Sequence, residues 1–451
     1  MKYFLKIHIA IKICMLFVVI QFFVMQWAYA GDKKEIDSGI KNFFIIGIGT
    51  HFAGGKRLID ASLDLIAHAA INAIRDDVTW ARVEQKKGVL EVPEWWDHYV
   101  DKALQLNIQP LLVLCYGNRF YGDGGKLTNE DEIEAFTQYA HFIVAHFKDR
   151  VFRYEIWNEW DGRCGHTRPG KPEEYVQLVR MVYPAIKSID PEVEVIVGAA
   201  TTRGIRNGFI KRILELGVMK YADALSLHTY NHSSSDSTPE AWAAWMRKVE
   251  QELMDANSGK PLPFYITEMG WPTHTGSNGV IREVQAEYLA RLFLLARTLP
   301  FIKGIWWYDL QNDGEDPHNQ EHNFGIVRHD LTPKPAYYAL STIARDLPRL
   351  RFIKEIPVKD RKIKCLRFKR PFGEDMWAVW SVDHLTESRF CLQTQEPADI
   401  KIQLIGKPAI PAAWSKTGSG FQKSKQLCLT VGGMPWLISG DLEDVSIAET
   451  K

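Results

Sequence analysis

Two glutamates close two apolar runs of this sequence and could act as a catalytic pair. Glu159 ends a run that also contains Trp157 and Asn158, and Glu268 ends the run 263–268. Cleaving a glycosidic bond with retention of configuration needs a carboxylic acid and a carboxylate held about 5–5.5 Å apart. A lone glutamate at a strand end is usually a solvated rim residue. Two of them, each in an aromatic-rich context, predict a glycosidase.

The elements that would position this pair alternate between short apolar runs and amphipathic stretches of helical length. Eight runs predict strands: Phe43–Thr50, Ala73–Asp76, Pro110–Tyr116, Val151–Glu159, Val193–Ala199, Ala224–Tyr230, Pro263–Glu268 and Ile302–Asp309. Between them lie predicted helices: Leu58–Ala70, Trp95–Leu106, Glu130–Phe147, Pro172–Ser188, Pro239–Ala256 and Arg282–Thr298. Eight βα units predict an α/β fold, a (β/α)8 TIM barrel, with chemistry at the carboxyl ends of its strands.

An open, doubly wound parallel sheet is the alternative architecture. It would carry a glycine-rich phosphate-binding loop after the first strand. The sequence there contains Gly47 and Gly49 but lacks the third glycine of that fingerprint.

The chain changes character after about Leu350, where short β-rich runs are separated by Pro, Gly and Asp. These runs are Ile363–Phe368, Met376–Val382, Arg389–Leu392, Ile400–Leu404 and Gln426–Val431. They predict a small antiparallel β-sandwich packed against the barrel. We expect a barrel over residues 31–348 and a sandwich over 349–451. The sandwich would either buttress the barrel or bind sugar as an accessory module.

The first 30 residues have the order of a secretory signal. Three lysines precede an apolar stretch, which ends at Ala28-Tyr29-Ala30, a small-residue cleavage pattern. We expect cleavage before Gly31, and the alternative is an uncleaved membrane anchor. In either case the rest of the chain would be periplasmic or secreted, with an inner-membrane tether as the second possibility.

Charge and cysteine content narrow the classes of function. Basic and acidic residues number 55 each, so there is no basic surplus for nucleic acid. Beyond the signal the chain holds Cys115, Cys164, Cys365, Cys391 and Cys428, and the last three predict one disulfide in the C-terminal region. Neither Cys nor His shows metal-binding spacing. We therefore predict no metal and no cofactor.

The predicted strand ends carry an unusual set of side chains. Strand two supplies Arg75, strand four Asn158 and Glu159, strand six His228 and Tyr230, strand seven Glu268, and strand eight Trp306 and Trp307. With these residues the barrel, from about Asn42 to Leu347, resembles the clan A glycoside hydrolases. It looks most like family 39, in particular the endoglycosidases encoded beside exopolysaccharide synthesis machinery.

This resemblance implies a role for each strand-end residue. Glu159 corresponds to the acid/base and Glu268 to the nucleophile. Arg75 and Tyr230 would contact the nucleophile, and Asn158 would bind the sugar 2-hydroxyl.

The substrate-binding assignments keep alternatives. Trp307 would form a sugar platform while Trp306 packs outward, although an error of one residue in strand phase would exchange them. His228 is a candidate for substrate contact or simply a hydrogen-bonded strand-end histidine. Arg75 could instead pair with Asp76 or Asp77, and Asn158 could cap its loop.

The predicted function is a retaining glycoside hydrolase that cleaves an exopolysaccharide, acting within the polymer. An exo-β-glycosidase such as a xylosidase and a non-catalytic carbohydrate-binding protein are the alternatives. The expected partner is a polysaccharide or oligosaccharide substrate, and the expected state is a monomer.

Overall fold

The structure is a computed structural model that describes residues 43–55, 58–164, 168–395, 399–417 and 424–448. The predicted signal sequence and its cleavage site lie outside the described residues. Within the described ranges, no helix is both long and apolar enough to cross a membrane.

Eight parallel strands close into a barrel in sequential order, which confirms the predicted TIM barrel. They are β1 (Ile45–Gly49), β2 (Ala73–Thr79), β3 (Gln109–Cys115), β4 (Arg153–Ile156), β5 (Glu194–Ala200), β6 (Ala224–His228), β7 (Phe264–Met269) and β8 (Ile302–Trp307). Most of their residues are buried, as expected where helices cover one face of the sheet and side chains fill the other.

Helices surround this barrel and pack their apolar faces against it. They are α1 (Ile59–His68), α2 (Trp80–Val83), α3 (Glu94–Gln105), α4 (Glu130–His146), α5 (Pro172–Ile189), α6 (Thr202–Arg206), α7 (Phe209–Glu215), α8 (Pro239–Ala256), α9 (Arg282–Ala296) and α10 (Pro335–Ala344). The six predicted helices are present with ends shifted by two residues at most. The sequence analysis did not identify α2, α6, α7 and α10.

A layer of side chains fills the lower part of the barrel. It comprises Ile45, Ala73, Leu111, Ile196, Ala224, Tyr265 and Trp306. Gly47 makes room for the indole of Trp306, because a Cβ at that position would lie 2.3 Å from the ring. The predicted phase of strand eight was therefore wrong: Trp306 points inward, and Trp307 packs outward against Trp271, with ring centroids 5.9 Å apart.

The C-terminal region forms two antiparallel sheets, as predicted. One has the order β14-β13-β17-β11-β10-β9 and the other β15-β16-β12-β18. Their bounds are β9 (Arg351–Glu355), β10 (Ile363–Lys369), β11 (Asp375–Ser381), β12 (Ser388–Thr394), β13 (Ile400–Leu404), β14 (Ile410–Pro411), β15 (Ser415–Thr417), β16 (Ser424–Val431), β17 (Trp436–Gly440) and β18 (Ser446–Ile447). A shared apolar core packs between the sheets. The predicted disulfide joins Cys391 and Cys428, which are direct cross-strand partners.

Barrel and sandwich are joined by buried polar contacts. Trp380 Nε1 of the sandwich donates to Glu240 Oε1 of α8 at 2.7 Å, and the guanidinium of Arg291 in α9 pairs with the same carboxylate. Arg291 also donates to the Val382 carbonyl at 3.2 Å and is fully buried. The predicted boundary at residues 348/349 falls in the turn between α10 and β9. These contacts favour a buttressing role for the sandwich.

Candidate active site

A pocket of about 500 Å³ opens at the carboxyl ends of the barrel strands. Five of the predicted site residues line it: Arg75, Asn158, Glu159, Tyr230 and Glu268. His228 is completely buried and contacts the pocket only through the two glutamates. Trp307 is also completely buried and does not line the pocket, so its assignment as a sugar platform was wrong.

The backbone that carries Glu159 leaves the strand in an unusual conformation. After β4 ends at Ile156, Trp157 and Glu159 adopt positive φ angles of 67° and 48°. A left-handed conformation costs a residue with a side chain on the order of 1–3 kcal/mol and persists only where the surroundings hold it. Here the Glu159 amide donates to the Ala199 carbonyl at 3.1 Å, and the Gly162 amide donates to the Glu159 carbonyl at 2.9 Å. Hydrogen bonds to β5 and to the turn that follows thus fix Glu159 at the pocket wall.

Glu268 is held by a donor on each of its oxygens. Arg75 Nη1 donates to Oε1 at 2.8 Å, and the Tyr230 hydroxyl donates to Oε2 at 2.9 Å. These are the contacts that the family resemblance implied for a nucleophile. Together they fix the plane of the Glu268 carboxylate.

Arg75 links three acceptors in the floor of the pocket. Besides Glu268, it donates to Glu155 Oε2 and to Asn158 Oδ1, each at 2.8 Å. The alternative ion pair with Asp76 is not formed, because Asp76 accepts hydrogen bonds from Thr50 and from backbone amides.

Glu155 is a component of the site that the sequence analysis missed. It is fully buried and lies directly behind Arg75. The signal was available, since a carboxylate inside an apolar strand needs a buried cation as its partner. Glu155 thus anchors the guanidinium that orients Glu268.

The two candidate catalytic carboxylates are close neighbours. His228 Nδ1 lies 3.0 Å from Glu159 Oε1 and 3.4 Å from Glu268 Oε2. One oxygen of each glutamate and a ring nitrogen of His228 all lie within 4.8 Å of one another. Inverting glycosidases separate their carboxyl groups by about 6.5–9.5 Å, whereas retaining enzymes hold them about 5–5.5 Å apart. The close approach observed here matches the retaining geometry.

Burial and neighbouring charges shift the pKa of each group in this cluster. Burial alone would raise the pKa of Glu159, but hydrogen bonds from His228 and Cys164 lower it below its ordinary value. Burial raises the pKa of Glu268, and the charges of His228 and Arg75 offset only part of that rise. The pKa of His228 would fall on burial, yet the two carboxylates raise it. Because these groups are in contact, they exchange protons and titrate together.

Asn158 and Cys164 complete the surroundings of the pair. Asn158 Nδ2 donates to the Tyr116 hydroxyl at 2.9 Å, while its Oδ1 accepts from Arg75, so both ends of the amide are fixed. It does not cap its loop in the way considered as an alternative. The Cys164 thiol donates to Glu159 Oε2 at 2.8 Å. Residues 165–167, which follow in the predicted cleft loop, lie outside the described residues.

Several pocket residues were not singled out from the sequence. Tyr308, immediately after β8, supplies the strand-eight aromatic that was assigned to Trp307. Its ring contacts Tyr230 and Phe324, which also face the pocket. Further lining comes from Arg203 of α6 and from residues that follow the strands, including His51, His232, Gln320 and Glu321. Such contacts depend on loop paths that no strand pattern specifies.

Among the residues that the structure describes, two groups of side chains could offer ligands to a cation. One is Glu159, His228 and Glu268, and the other is His51, Asp309 and Asp313. In the first group Arg75 already supplies a positive charge at 2.8 Å from Glu268. In the second group, burial alone would lower the pKa of His51. The hydrogen bond to Asp313 and the nearby acidic side chains outweigh burial and raise this pKa to about 9. A protonated imidazole is a donor and not a ligand, so neither group favours a metal, and its absence stays a prediction.

Comparison with known proteins points to one class of enzyme. The model of the cellulase family, described as glycosyl hydrolase family 5, matches residues 36–307. No curated protein sequence matches the chain.

Solved structures give the same result for the fold. A family 39 glycoside hydrolase from the gut symbiont Bacteroides cellulosilyticus WH2 superimposes with a TM-score of 0.72 at 26% identity, covering 88% of this chain and 81% of that one. A monomeric β-xylosidase from Caulobacter crescentus CB15 gives 0.60 at 14% identity, with 88% and 96% covered. A glucosidase from Croceicoccus marinus gives 0.64 at 13% identity, with 90% and 97% covered. The latter two likenesses show the fold alone.

Proposed function

The chain belongs to the cellulase family of glycoside hydrolases (glycosyl hydrolase family 5), and we propose that it cleaves an exopolysaccharide within its chain, using Glu159 as acid/base and Glu268 as nucleophile. It is a retaining glycoside hydrolase of clan A, and its structural neighbours include family 39 enzymes. The observation that carries the choice of this pair is the approach of the two carboxylates, whose nearest oxygens lie within 4.8 Å.

In the first half-reaction Glu268 attacks the anomeric carbon. Arg75 and Tyr230 hold its two oxygens, so the attacking lone pair is already oriented when the sugar arrives. The glycosidic C–O bond breaks as the ester to Glu268 forms, and Glu159 gives its proton to the departing oxygen.

In the second half-reaction the ester is hydrolysed. Ionised Glu159 removes a proton from water, the water oxygen attacks the anomeric carbon, and Glu268 leaves as a carboxylate. The hydrogen bonds that lower the pKa of Glu159 favour this base form.

His228 is the proposed holder of the proton that Glu159 recovers from water at the end of one cycle and gives to the leaving oxygen in the next. Its Nδ1 lies 3.0 Å from Glu159 Oε1, and the two glutamates raise its pKa. A proton held on the ring can therefore pass to Glu159 along one hydrogen bond. His228 acts behind the carboxylates and does not touch the sugar.

The substrate-binding roles follow from the residues that line the pocket. Asn158 would bind the sugar 2-hydroxyl, and Tyr308, in place of Trp307, would contact the face of the sugar ring. Arg203 of α6 and Gln320, which follows β8, line the pocket and would contact sugar units beyond the one that is cleaved. Contacts to several sugar units would favour endo action.

Exo action remains the second candidate, because one structural neighbour is a β-xylosidase. A panel of bacterial exopolysaccharides, with product sizes measured by mass spectrometry, separates the two. Oligosaccharide products support endo cleavage, whereas monosaccharides alone support exo cleavage. Binding without any product would indicate a non-catalytic carbohydrate-binding protein.

The residue roles are tested with azide as an external nucleophile. In Glu159→Gln, a substrate with a good leaving group still forms the glycosyl-enzyme, and azide should then yield a glycosyl azide of retained configuration. In Glu268→Gly, azide enters the vacated space and should yield the inverted azide. Exchanged stereochemistry would exchange the roles, and full activity in either variant would exclude the mechanism.

The proposed site of action is the periplasm or the cell exterior, reached through the N-terminal signal. Terminal sequencing of the exported protein should begin at Gly31, because Ala28-Tyr29-Ala30 forms the cleavage pattern. An intact Met1 in the membrane fraction would indicate a tether. We also propose a monomer, in line with the monomeric β-xylosidase that shares the fold, and light scattering of the purified protein would test it.

A further inference from the structure

Cys164 makes a direct contact with the proposed acid/base that the mechanism above does not use. Its Sγ lies 2.8 Å from Glu159 Oε2, and its side chain is partly exposed on the pocket wall. The other oxygen of Glu159, Oε1, lies 3.0 Å from His228. Both oxygens of one carboxylate are therefore held, one by a ring and one by a thiol.

We propose that Cys164 is a positioning residue that holds the carboxyl group of Glu159 in both half-reactions. This inference rests on the proposed function, in which Glu159 alternates between acid and base. A thiol has an S–H donor and a sulfur atom that accepts weakly. It can donate to ionised Glu159 and accept from protonated Glu159, so one side chain suits both states.

The surroundings of the sulfur keep it in the thiol form that this role needs. Burial and the neighbouring charge of Glu159 raise the pKa of Cys164 well above its ordinary value. The titratable groups that face it are Glu159, Glu268, Asp77, Tyr116 and Lys126. A neutral thiol neither attacks the sugar nor adds a third negative charge beside the two glutamates.

The other cysteines among the described residues do not share this position. Cys115 and Cys365 are completely buried, and Cys391 and Cys428 form the disulfide. Cys164 is thus the one free thiol in the described part of the chain that an aqueous reagent can reach. This allows its contact with Glu159 to be tested chemically, without any substrate.

The first experiment separates a role in acid catalysis from a purely structural one. Hydrolysis of 2,4-dinitrophenyl β-glycosides needs little leaving-group protonation, whereas phenyl β-glycosides depend on it. Both leaving groups are tested on β-glucosides and on β-xylosides. We expect Cys164→Ala to lower kcat/KM about 10-fold on the phenyl substrates, because a hydrogen bond to a charged group is lost. On the dinitrophenyl substrates kcat/KM should fall less than about 2-fold. Cys164→Ser, whose hydroxyl also donates and accepts, should recover most of the activity.

An equal loss on both leaving groups, or no loss on either, would overturn the inference. Glu159→Gln serves as the reference in the same assay. If that variant lacks the leaving-group dependence, the proposed function fails. If it shows the dependence and Cys164→Ala does not, only the role of Cys164 fails.

The second experiment follows carbamidomethylation of Cys164 by iodoacetamide at pH 8, with peptide mass spectrometry as the readout. Removing the charge that raises the thiol pKa should make Glu159→Gln react at least about 10-fold faster than the wild type. Glu268→Gln is the matched control, because it removes an equal charge from the same pocket without touching the sulfur, and it should accelerate the reaction less. If Glu159→Gln were labelled at the wild-type rate, Cys164 would not contact Glu159 and the inference would fail. This test needs no substrate, so it holds even if the protein hydrolyses no aryl glycoside.

Discussion

Replacing Arg75 by Met should destabilise the barrel more than the loss of an ordinary ion pair. The guanidinium is 5% exposed and donates to Glu155, Glu268 and Asn158, each at 2.8 Å. Glu155 has no exposure at all and would be left as a buried charge without its cation. Removing one partner of a buried pair costs about 3–5 kcal/mol, whereas an exposed pair is worth about 0–1 kcal/mol. We therefore expect the free energy of unfolding at pH 7 to fall by about 3–5 kcal/mol.

The loss should depend on pH with a defined sign. Burial already raises the pKa of Glu268, and without Arg75 that pKa should rise further. A carboxyl whose pKa is raised on folding favours the folded state only while it is protonated. Its contribution is complete below its unfolded pKa and disappears as the pH rises through its folded pKa. The deficit of the variant relative to the wild type should therefore be smaller at pH 4.5 than at pH 7.

Urea unfolding at the two pH values, followed by tryptophan fluorescence, measures this deficit. In Arg75→Lys the free energy of unfolding should fall less than in Arg75→Met, because lysine keeps the positive charge although it cannot donate to all three acceptors in the geometry of a guanidinium. The control is Arg153→Met, since Arg153 pairs with Glu194, which is 28% exposed and can regain water. A loss below about 1 kcal/mol at pH 7, or an equal loss at both pH values, would refute the reasoning.

Three further predictions follow from individual contacts. Tyr230→Phe removes the 2.9 Å hydrogen bond to Glu268, so kcat/KM should fall about 10–100-fold. The pKa of Glu268 should rise, which moves the acid limb of the pH–rate profile to higher pH. An acid limb at the wild-type pH would contradict this prediction. Tyr308→Ala should raise KM for oligosaccharides about 10-fold, because stacking of the sugar on the ring is lost. Trp307→Phe should lower the melting temperature and leave KM unchanged, because Trp307 is buried. The opposite result would show that Trp307, and not Tyr308, contacts the sugar. Arg291 lies at the junction with the sandwich, and Arg291→Met should lower the free energy of unfolding by about 3 kcal/mol. We expect kcat to stay within about 2-fold of the wild type. A larger fall in kcat would show that the junction affects the geometry of the active site.

Local patterns in the sequence were enough to predict the fold and the candidate catalytic pair. Short apolar runs and amphipathic stretches of helical length are local signals, so the eight barrel strands and six of the helices could be located to within a few residues. Glu159 and Glu268 could be identified because each follows an apolar strand run, and parallel strands of a barrel deliver their carboxyl ends to one face. The disulfide region was predictable for a similar reason, since three of the cysteines lie in a β-rich segment.

The neighbours that contact that pair could not be predicted, because the folded barrel brings them together from distant parts of the chain. Glu155 in β4 reaches Arg75 in β2 across β3, and Cys164 reaches Glu159 through a loop, so local spacing does not identify either partner. The exchange of Trp306 and Trp307 has the same origin, because a shift of one residue in strand phase reverses every side chain. Tyr308 lies just past the strand, where no periodicity applies. The pKa shifts of Glu159, Glu268 and His228 arise from burial and from charges brought together by different strands, and these exist only once the barrel has closed.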